Sequence, residues 1–426
     1  MADAGDSKSP GGNPVRVRLS PRALSHPHPT VPPSRRLPPS DLAAPVEALD
    51  TGSAHARPER GIALCLSGGG YRAMLFHLGA LWRLNETGLL AGRRSDGFGP
   101  LERISSVSGG SITAAVLGLH WSRLGFNGSG VAERFVPEVV DPIRALADCT
   151  IDVGVILKGL LLPGSINRWL ARAYRRRLYG RATLQALPER PRFVINATNL
   201  QSGALWRFMR PYMWDWRVGK ISQPSVDLAA AVAASSAFPP LLSPATFRFA
   251  TAQYTPSSGA DLQVGPYTTH VMLADGGVYD NLGLETVWKR YQTVLVSDAG
   301  SRMQPAPAPR RNWVSQIFRV LEVIDNQVRT LRKLQVIGSF ERGDRSGAYW
   351  GIRTDIANYD LPDALPCAPD KTAELAQVAT RLKRLDRGLQ DRLINWGYAV
   401  CDAALRKHVD PTLHAPAAFP CPGGVG

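Results

Sequence analysis

The sequence predicts an α/β fold on three observations. Two stretches read as strand, glycine-rich turn and helix in immediate succession, and a third reads as strand, Asp-Gly-Gly and helix. The 426-residue chain is 44% hydrophobic and 20% charged, enough apolar material for a substantial core. That length suits two or three average domains, or one large α/β domain with insertions.

The first segment, residues 1–58, is rich in Pro, Ser, Gly and Arg, without apolar periodicity, and is read as a disordered tail. It lacks the apolar core of about 7 to 15 residues that a secretory leader needs. Nothing downstream reaches about 18 uninterrupted apolar residues, so no spanning helix is expected. The expected location is cytoplasmic, free or peripheral on membranes. Five cysteines (Cys65, Cys149, Cys367, Cys401 and Cys421) form no C-x-x-C pair, which points to neither a zinc site nor a disulfide framework and fits a reducing compartment.

Order begins near residue 59. Ile62-Ala63-Leu64-Cys65-Leu66 is an apolar run ending in Ser67-Gly68-Gly69-Gly70-Tyr71-Arg72, and Ala73 to Glu86 carries Met74, Leu75, Leu78, Leu81 and Leu84 at helical spacing. Consecutive glycines let backbone N–H groups face one point at a helix N-terminus, a site for negative charge. Neither phosphate-loop pattern, G-x-x-x-x-G-K-[ST] or G-x-G-x-x-G, is present. An oxyanion hole is the other use of such a loop. Arg72 would hold the loop or favour the developing charge, unless it is an ordinary surface arginine.

The second unit is Ile104-Ser105-Ser106-Val107-Ser108-Gly109-Gly110-Ser111, followed by an apolar helix to His120. This reads as a nucleophile elbow with Ser108 as nucleophile. Gly109 and Gly110 allow the sharp turn. Ser106 stands where the usual G-x-S-x-G pattern has its first glycine. The third unit, His270 to Ala274, leads into Asp275-Gly276-Gly277-Val278-Tyr279-Asp280-Asn281 and a helix from about Leu282 to Arg290. Desolvation would make Asp275 basic enough to take a serine proton directly, although Asp-Gly-Gly is also a common turn.

Together, Gly68-Gly69-Gly70-Tyr71-Arg72, Ser106-Val107-Ser108-Gly109-Gly110 and Asp275-Gly276-Gly277 resemble, in order and approximate spacing, the three blocks of the patatin-like phospholipases. Ala233-Ala234-Ser235-Ser236-Ala237-Phe238-Pro239-Pro240 resembles a further block of that family. The resemblance implies a three-layer sandwich with a central, mostly parallel sheet flanked by helices. It also implies lipid acyl-ester hydrolysis by a Ser108/Asp275 dyad, with Gly68, Gly69, Gly70 and Arg72 around the oxyanion. On this reading residues 59–300 are the catalytic domain, 301–410 a helical part packed on it, and 411–426 a flexible tail.

Two alternatives stay open: a non-catalytic lipid-binding or interaction protein on the same fold, and a Ser/Asp/His esterase. His408 and His414 lie late enough for that triad's chain order. His77 reads as a packing group, His120 as a cation at a helix end, and His270 as a strand-end residue. Asp298, after the strand Thr293–Ser297, is a second strand-end carboxylate.

Val153 to Leu162 is largely apolar, and Arg168, Arg172, Arg175, Arg176, Arg177 and Arg181 follow it. The pair suits either a lipid interface or a core helix with a solvated basic neighbour. Arg192–Asn199 and Gly203–Met209 read as a strand hairpin, with Trp206, Trp214 and Trp216 as core fillers. Three helices follow: Trp313–Leu334, amphipathic, then Thr372–Arg387 and Gly388–Leu405, packed on the sheet or over the cleft. The excess of 50 Lys+Arg over 35 Asp+Glu, a net charge of +15, implies an anionic partner. With no nucleic-acid motif, the expected partner is phospholipid or another acyl lipid at an anionic membrane surface. No cofactor is expected and no metal, since no acidic loop has calcium-binding spacing.

Overall fold

Residues 61–66 are buried throughout, as a strand covered on both faces requires, and they end β1 (Glu59–Leu66) at the centre of the sheet. The protein is described by a computed structural model of residues 59–91, 101–151, 166–239, 242–288 and 290–426, all within the unit Ala43–Gly426. The N-terminal segment 1–58 and the apolar run Val153–Leu162 lie outside the described residues.

The elements follow as α1 (Gly70–Glu86), β2 (Leu101–Ser106), α2 (Gly109–His120), α3 (Ile166–Tyr174), β3 (Arg192–Asn199), β4 (Leu205–Phe208), β5 (Tyr212–Asp215), β6 (Gly219–Ser222), α4 (Leu228–Ser235), β7 (Ala245–Arg248), β8 (His270–Asp275), β9 (Tyr291–Asp298), α5 (Trp313–Glu341), β10 (Ser346–Gly351) and α6 (Arg387–His408). Among the described residues ten strands form one sheet, ordered β10-β9-β1-β2-β3-β4-β5-β6, with β8 pairing β3 and β7 pairing β8. Pairing is parallel from β10 to β3 and antiparallel beyond it. The sheet is therefore mixed, where a mostly parallel one was expected, because short hairpins rather than helical crossovers join β3 to β6.

One departure from parallel pairing positions the site. Ala197 of β3 pairs with Trp206 of β4 on one edge and Asp275 of β8 on the other. The second edge is the one β2 uses, with Ser106 opposite Ile195. Since β2 runs parallel to β3 and β8 antiparallel, their C-terminal ends meet head-on along that edge. Ser108 leaves one end and Asp275 closes the other.

The C-terminal region is built into the same body. Helix α6 crosses α1 with backbones in contact: a Cβ on Gly79 would strike the Ile394 carbonyl, and one on Gly397 the Phe76 carbonyl. Ser346–Gly351, in a region read as helical, is the edge strand β10; Gly347 lets it pair closely with Val294. The helix expected over Thr372–Arg387 spans only Pro369–Gln377, after which the chain extends so that the Arg381 and Leu382 carbonyls accept from Tyr71 and Ile151 N–H. The helix expected from about Leu282 to Arg290 is the single turn Glu285–Trp288, and a separate turn, Gly277–Asp280, precedes it where a loop was expected. The last residues do not form a free tail: Asn395 Nδ2 donates to the Cys421 and Gly424 carbonyls at 2.9 and 2.7 Å, and Val425 is buried.

Core filling accounts for two of the three tryptophans. Trp206 is fully buried and stacks on Phe249, Trp214 is buried beneath the Arg207 guanidinium, and Trp216 is half-buried. Helix α3 buries Leu170 and Tyr174 while Arg168, Arg172, Arg175, Arg176, Arg177 and Arg181 are exposed, a solvated basic face.

Candidate active site

Ser108 turns the chain from β2 into α2 at φ 50° and ψ −118°, a conformation L-residues rarely adopt and the signature of a strained elbow. Backbone bonds hold it on both sides. Val107 N–H donates to the Leu66 carbonyl at 3.0 Å, and Gly110 N–H to those of Val107 and Ser67 at 2.9 and 3.2 Å. A Cβ on Gly109 would collide with the Gly70 carbonyl and one on Gly110 with the Leu66 carbonyl. The elbow thus packs backbone to backbone on the glycine loop.

Ser106, in place of the first elbow glycine, stays in strand conformation and is fully buried. Its hydroxyl donates to the Val194 carbonyl at 3.1 Å and accepts from Ser111 Oγ at 3.1 Å. Ser111 Oγ bonds Ser235 Oγ at 2.9 Å, and Ser235 Oγ accepts the Ser108 N–H at 3.0 Å. One consistent set of donors runs from the Ser108 amide through Ser235, Ser111 and Ser106 to β3.

Asp275 is 2% exposed. Its Oδ1 accepts from Gly277 N–H at 2.7 Å, and Ser108 lines the same cavity, its hydroxyl lowering the pKa of the Asp275 carboxyl. Burial pushes its pKa up to about 7; the bonds from Gly277 and Ser108 offset that only in part, and Asp325 adds a small rise. Gly276 is needed where it stands, since a Cβ there would strike the Asn196 carbonyl.

The glycine loop contributes less than its sequence suggests. Gly68 N–H donates to the Asn281 carbonyl at 3.1 Å. The Gly69 and Gly70 N–H groups have no backbone partner among the described residues, which leaves these two as donors for an anion. Arg72 packs against Gly69 but does not line the cavity that Gly69 and Gly70 line. Its guanidinium, 2% exposed, donates to the carbonyls of Ala376, Val378 and Ala299 at 3.1, 2.8 and 2.7 Å, and burial, with Arg353 nearby, lowers its pKa to about 10. Of its possible roles, holding the loop fits: it staples the loop to the strand end after β9 and to the C-terminal region.

Ser108, Asp275, Gly68, Gly69 and Gly70 line one cavity of about 190 Å³. Phe238, Pro239, Leu242 and Leu382 give it an apolar wall, and Asn281, Asp325 and Arg329 are among the residues of its polar side. Sequence reasoning assigned no role to Ser235 or Asn281, although both lie in quoted motifs. Thr380–Leu382, Asp325 and Arg329 carry no local signal, since only the tertiary fold brings them to the cavity.

No histidine lines the cavity among the described residues. His77 is buried, its ring nitrogens bonded to Ser297 Oγ at 2.8 Å and the Ser67 carbonyl at 2.9 Å, and burial drives its pKa down to about 4, so it stays neutral as a packing group. His120 pairs with Glu138 at 2.7 Å, His270 is exposed, and His408 packs edge-on against Tyr359. Asp298 is spoken for: burial raises its pKa, but Arg329, the Tyr349 hydroxyl at 2.7 Å and Gly300 N–H at 2.8 Å outweigh that and leave it below the ordinary carboxylate value. Among the described residues no cluster of His, Cys, Asp and Glu suits a metal, and no helix is long and apolar enough to cross a membrane.

Compared with known proteins, the chain is similar in structure to human GIVD cytosolic phospholipase A2, with 12% identity and a TM-score of 0.48 over 85% of this chain and 62% of that one. It is similar also to the same human enzyme in complex with methyl gamma-linolenyl fluorophosphonate, with 13% identity and a TM-score of 0.46 over 84% and 60%. The chain thus spans about 60% of the length of those solved proteins. No curated protein matches it. The family model of the patatin-like phospholipases matches residues 64–288, more than half of the chain. The chain belongs to the patatin-like phospholipase family.

Proposed function

We propose that the chain is a lipid acyl hydrolase that cleaves fatty-acyl esters through an acyl-enzyme on Ser108, with Asp275 as base. The observation that carries this reading is Ser108 and a buried Asp275 of pKa about 7 lining one cavity with Gly69 and Gly70, whose N–H groups have no backbone partner among the described residues. Membership of the family supports it.

The chemistry follows from those groups. Asp275 takes the Ser108 proton as Oγ bonds to the acyl carbonyl carbon, and the carbonyl electron pair moves onto oxygen. Gly69 and Gly70 N–H donate to that oxyanion; a single such donor is worth on the order of 3 kcal/mol in other hydrolases. Collapse expels the alcohol, which leaves with the proton from Asp275, and the acyl group stays on Ser108. Water, deprotonated by Asp275, then attacks the acyl carbon; the bond to Ser108 Oγ breaks, Oγ takes the proton back from Asp275, and the fatty acid is released. Phe238, Pro239, Leu242 and Leu382 form the wall that an acyl chain would meet.

The test is fatty-acid release from phospholipid vesicles by wild type and Ser108→Ala. Loss of release by the variant is expected; equal release by both proteins removes the assignment.

A further inference from the structure

Helix α5 is mounted the wrong way round for water. Trp313, Ile317, Val320, Ile324 and Leu331 are 73%, 50%, 55%, 50% and 58% exposed, and at about 100° per residue they fall on one stripe. The opposite stripe, Ser315, Arg319, Asn326 and Arg329, is the half-buried one. Polar bonds tether that inner face: Arg332 Nη1 donates to Glu285 at 2.7 Å and Arg319 Nη2 to the Gln304 carbonyl at 2.7 Å. A soluble helix points its apolar stripe at the core; this one points it outward.

Two features identify what covers the stripe. Asp325 and Arg329 of α5 line the catalytic cavity, and Phe238, also in its lining, is 60% exposed. Helix α5 therefore borders the cavity, and a surface seated on its outer stripe lies about one helix diameter, roughly 10 Å, from the Asp325/Arg329 side of it. The second feature is charge. Arg302, Arg329, Lys333 and Arg353 surround a neighbouring cleft of about 450 Å³ in which Asp298 is the one acidic residue among those described; Arg329 is taken by Asp325 at 3.2 Å and by Asp298, which leaves Arg302, Lys333 and Arg353. A surface that is apolar within and anionic at its headgroups matches both.

We infer that α5 is a membrane-docking helix that seats its Trp313–Leu331 stripe in an anionic phospholipid bilayer, with Arg302, Lys333 and Arg353 of the cleft taking headgroup phosphates. This inference rests on the reading of the cavity as a lipid acyl site. Docking delivers the cavity mouth to its substrate without a spanning segment.

The test separates docking from chemistry by measuring binding on full-length Ser108→Ala protein. Vesicles of phosphatidylcholine, with or without about a third phosphatidylserine, are sedimented with Ser108→Ala and with the same protein carrying Ile317→Asp, Val320→Asp and Ile324→Asp. The expected result is binding that phosphatidylserine strengthens and that the triple substitution weakens at least about tenfold. On an otherwise wild-type background, the triple variant should hydrolyse a soluble short-chain ester within about twofold of the unsubstituted rate, because none of the three residues lines the cavity. Unchanged vesicle binding by the triple variant overturns the inference. So does a dimer, seen by light scattering, that the triple substitution dissolves while vesicle binding persists, since the stripe is then a self-association face. Stripe-dependent binding by a protein that hydrolyses no ester supports the docking surface and removes only the catalytic reading.

Discussion

The backbone N–H of Ser108 donates to the side-chain Oγ of Ser235 at 3.0 Å, so a residue of α4 fixes the orientation of the elbow. Ser235 is held by Ser111, and Ser111 by Ser106, whose hydroxyl ends the chain on the Val194 carbonyl. Ser106 therefore replaces the first elbow glycine with a hydrogen-bonding group that belongs to the elbow's support.

Breaking this chain should loosen the nucleophile more than substrate binding. Ser235→Ala leaves the Ser108 amide without its acceptor, and Ser111→Ala separates Ser235 from Ser106. Each should cost about 1 to 3 kcal/mol of stability and lower kcat about tenfold, with KM on a soluble ester nearly unchanged. Steady-state kinetics with thermal unfolding checks this, and a loss confined to KM would contradict it.

Strain at Ser108 makes a second prediction. Its φ of 50° and ψ of −118° suit glycine and strain any residue with a Cβ. Both Ser108→Gly and Ser108→Ala should be inactive, yet Ser108→Gly should be the more stable by about 1 kcal/mol, because only glycine relaxes the strain. Chemical denaturation of the two variants measures the difference. Equal stability, or the reverse order, would mean that the elbow is relaxed.

On the proposed reading, Asp275 as base sets the pH dependence. Burial raises the Asp275 pKa to about 7, and only the carboxylate form accepts the Ser108 proton. The kcat/KM for a soluble, non-ionising ester should rise with pH to a plateau above 7 and fall about tenfold per pH step well below it. Asp275→Asn should lose about 10²- to 10⁴-fold of the rate and the ascending limb with it. A limb centred near 4 in the wild type would assign the base to an ordinary carboxylate.

Local chemistry made much of the candidate site legible in the sequence. The glycines beside Ser108 and Asp275 and the Gly68–Gly70 run mark turns and close approaches that few other residues permit, so the pattern survives in a short window. Whatever depends on contacts across hundreds of residues left no such trace. Arg72 meets the carbonyls of Ala376 and Val378, and Arg381 meets the loop at Tyr71. The direction of β8 is not encoded in its own residues either: an apolar run reads the same whichever way it pairs. The period of α5 was visible, but a period names a stripe and not what the stripe faces.

Buried Asp275 also ties folding to pH. A carboxyl with a folded pKa of about 7, above its ordinary 3.8, binds its proton more tightly in the folded state than in the unfolded one. The group's contribution to stability is therefore fully present below about pH 4 and is lost as pH rises through 7. The loss approaches about 4 kcal/mol once the folded carboxyl is ionised. Asp275→Asn keeps an acceptor for Gly277 N–H without the charge. It should match wild-type stability near pH 4, and exceed it increasingly up to about pH 8 by at most that amount. Urea unfolding of both proteins across this range reads the difference directly. A gap that does not change with pH would show that Asp275 ionises as easily inside the folded protein as outside it, and the base would lose the property that lets it act on a serine hydroxyl without a histidine.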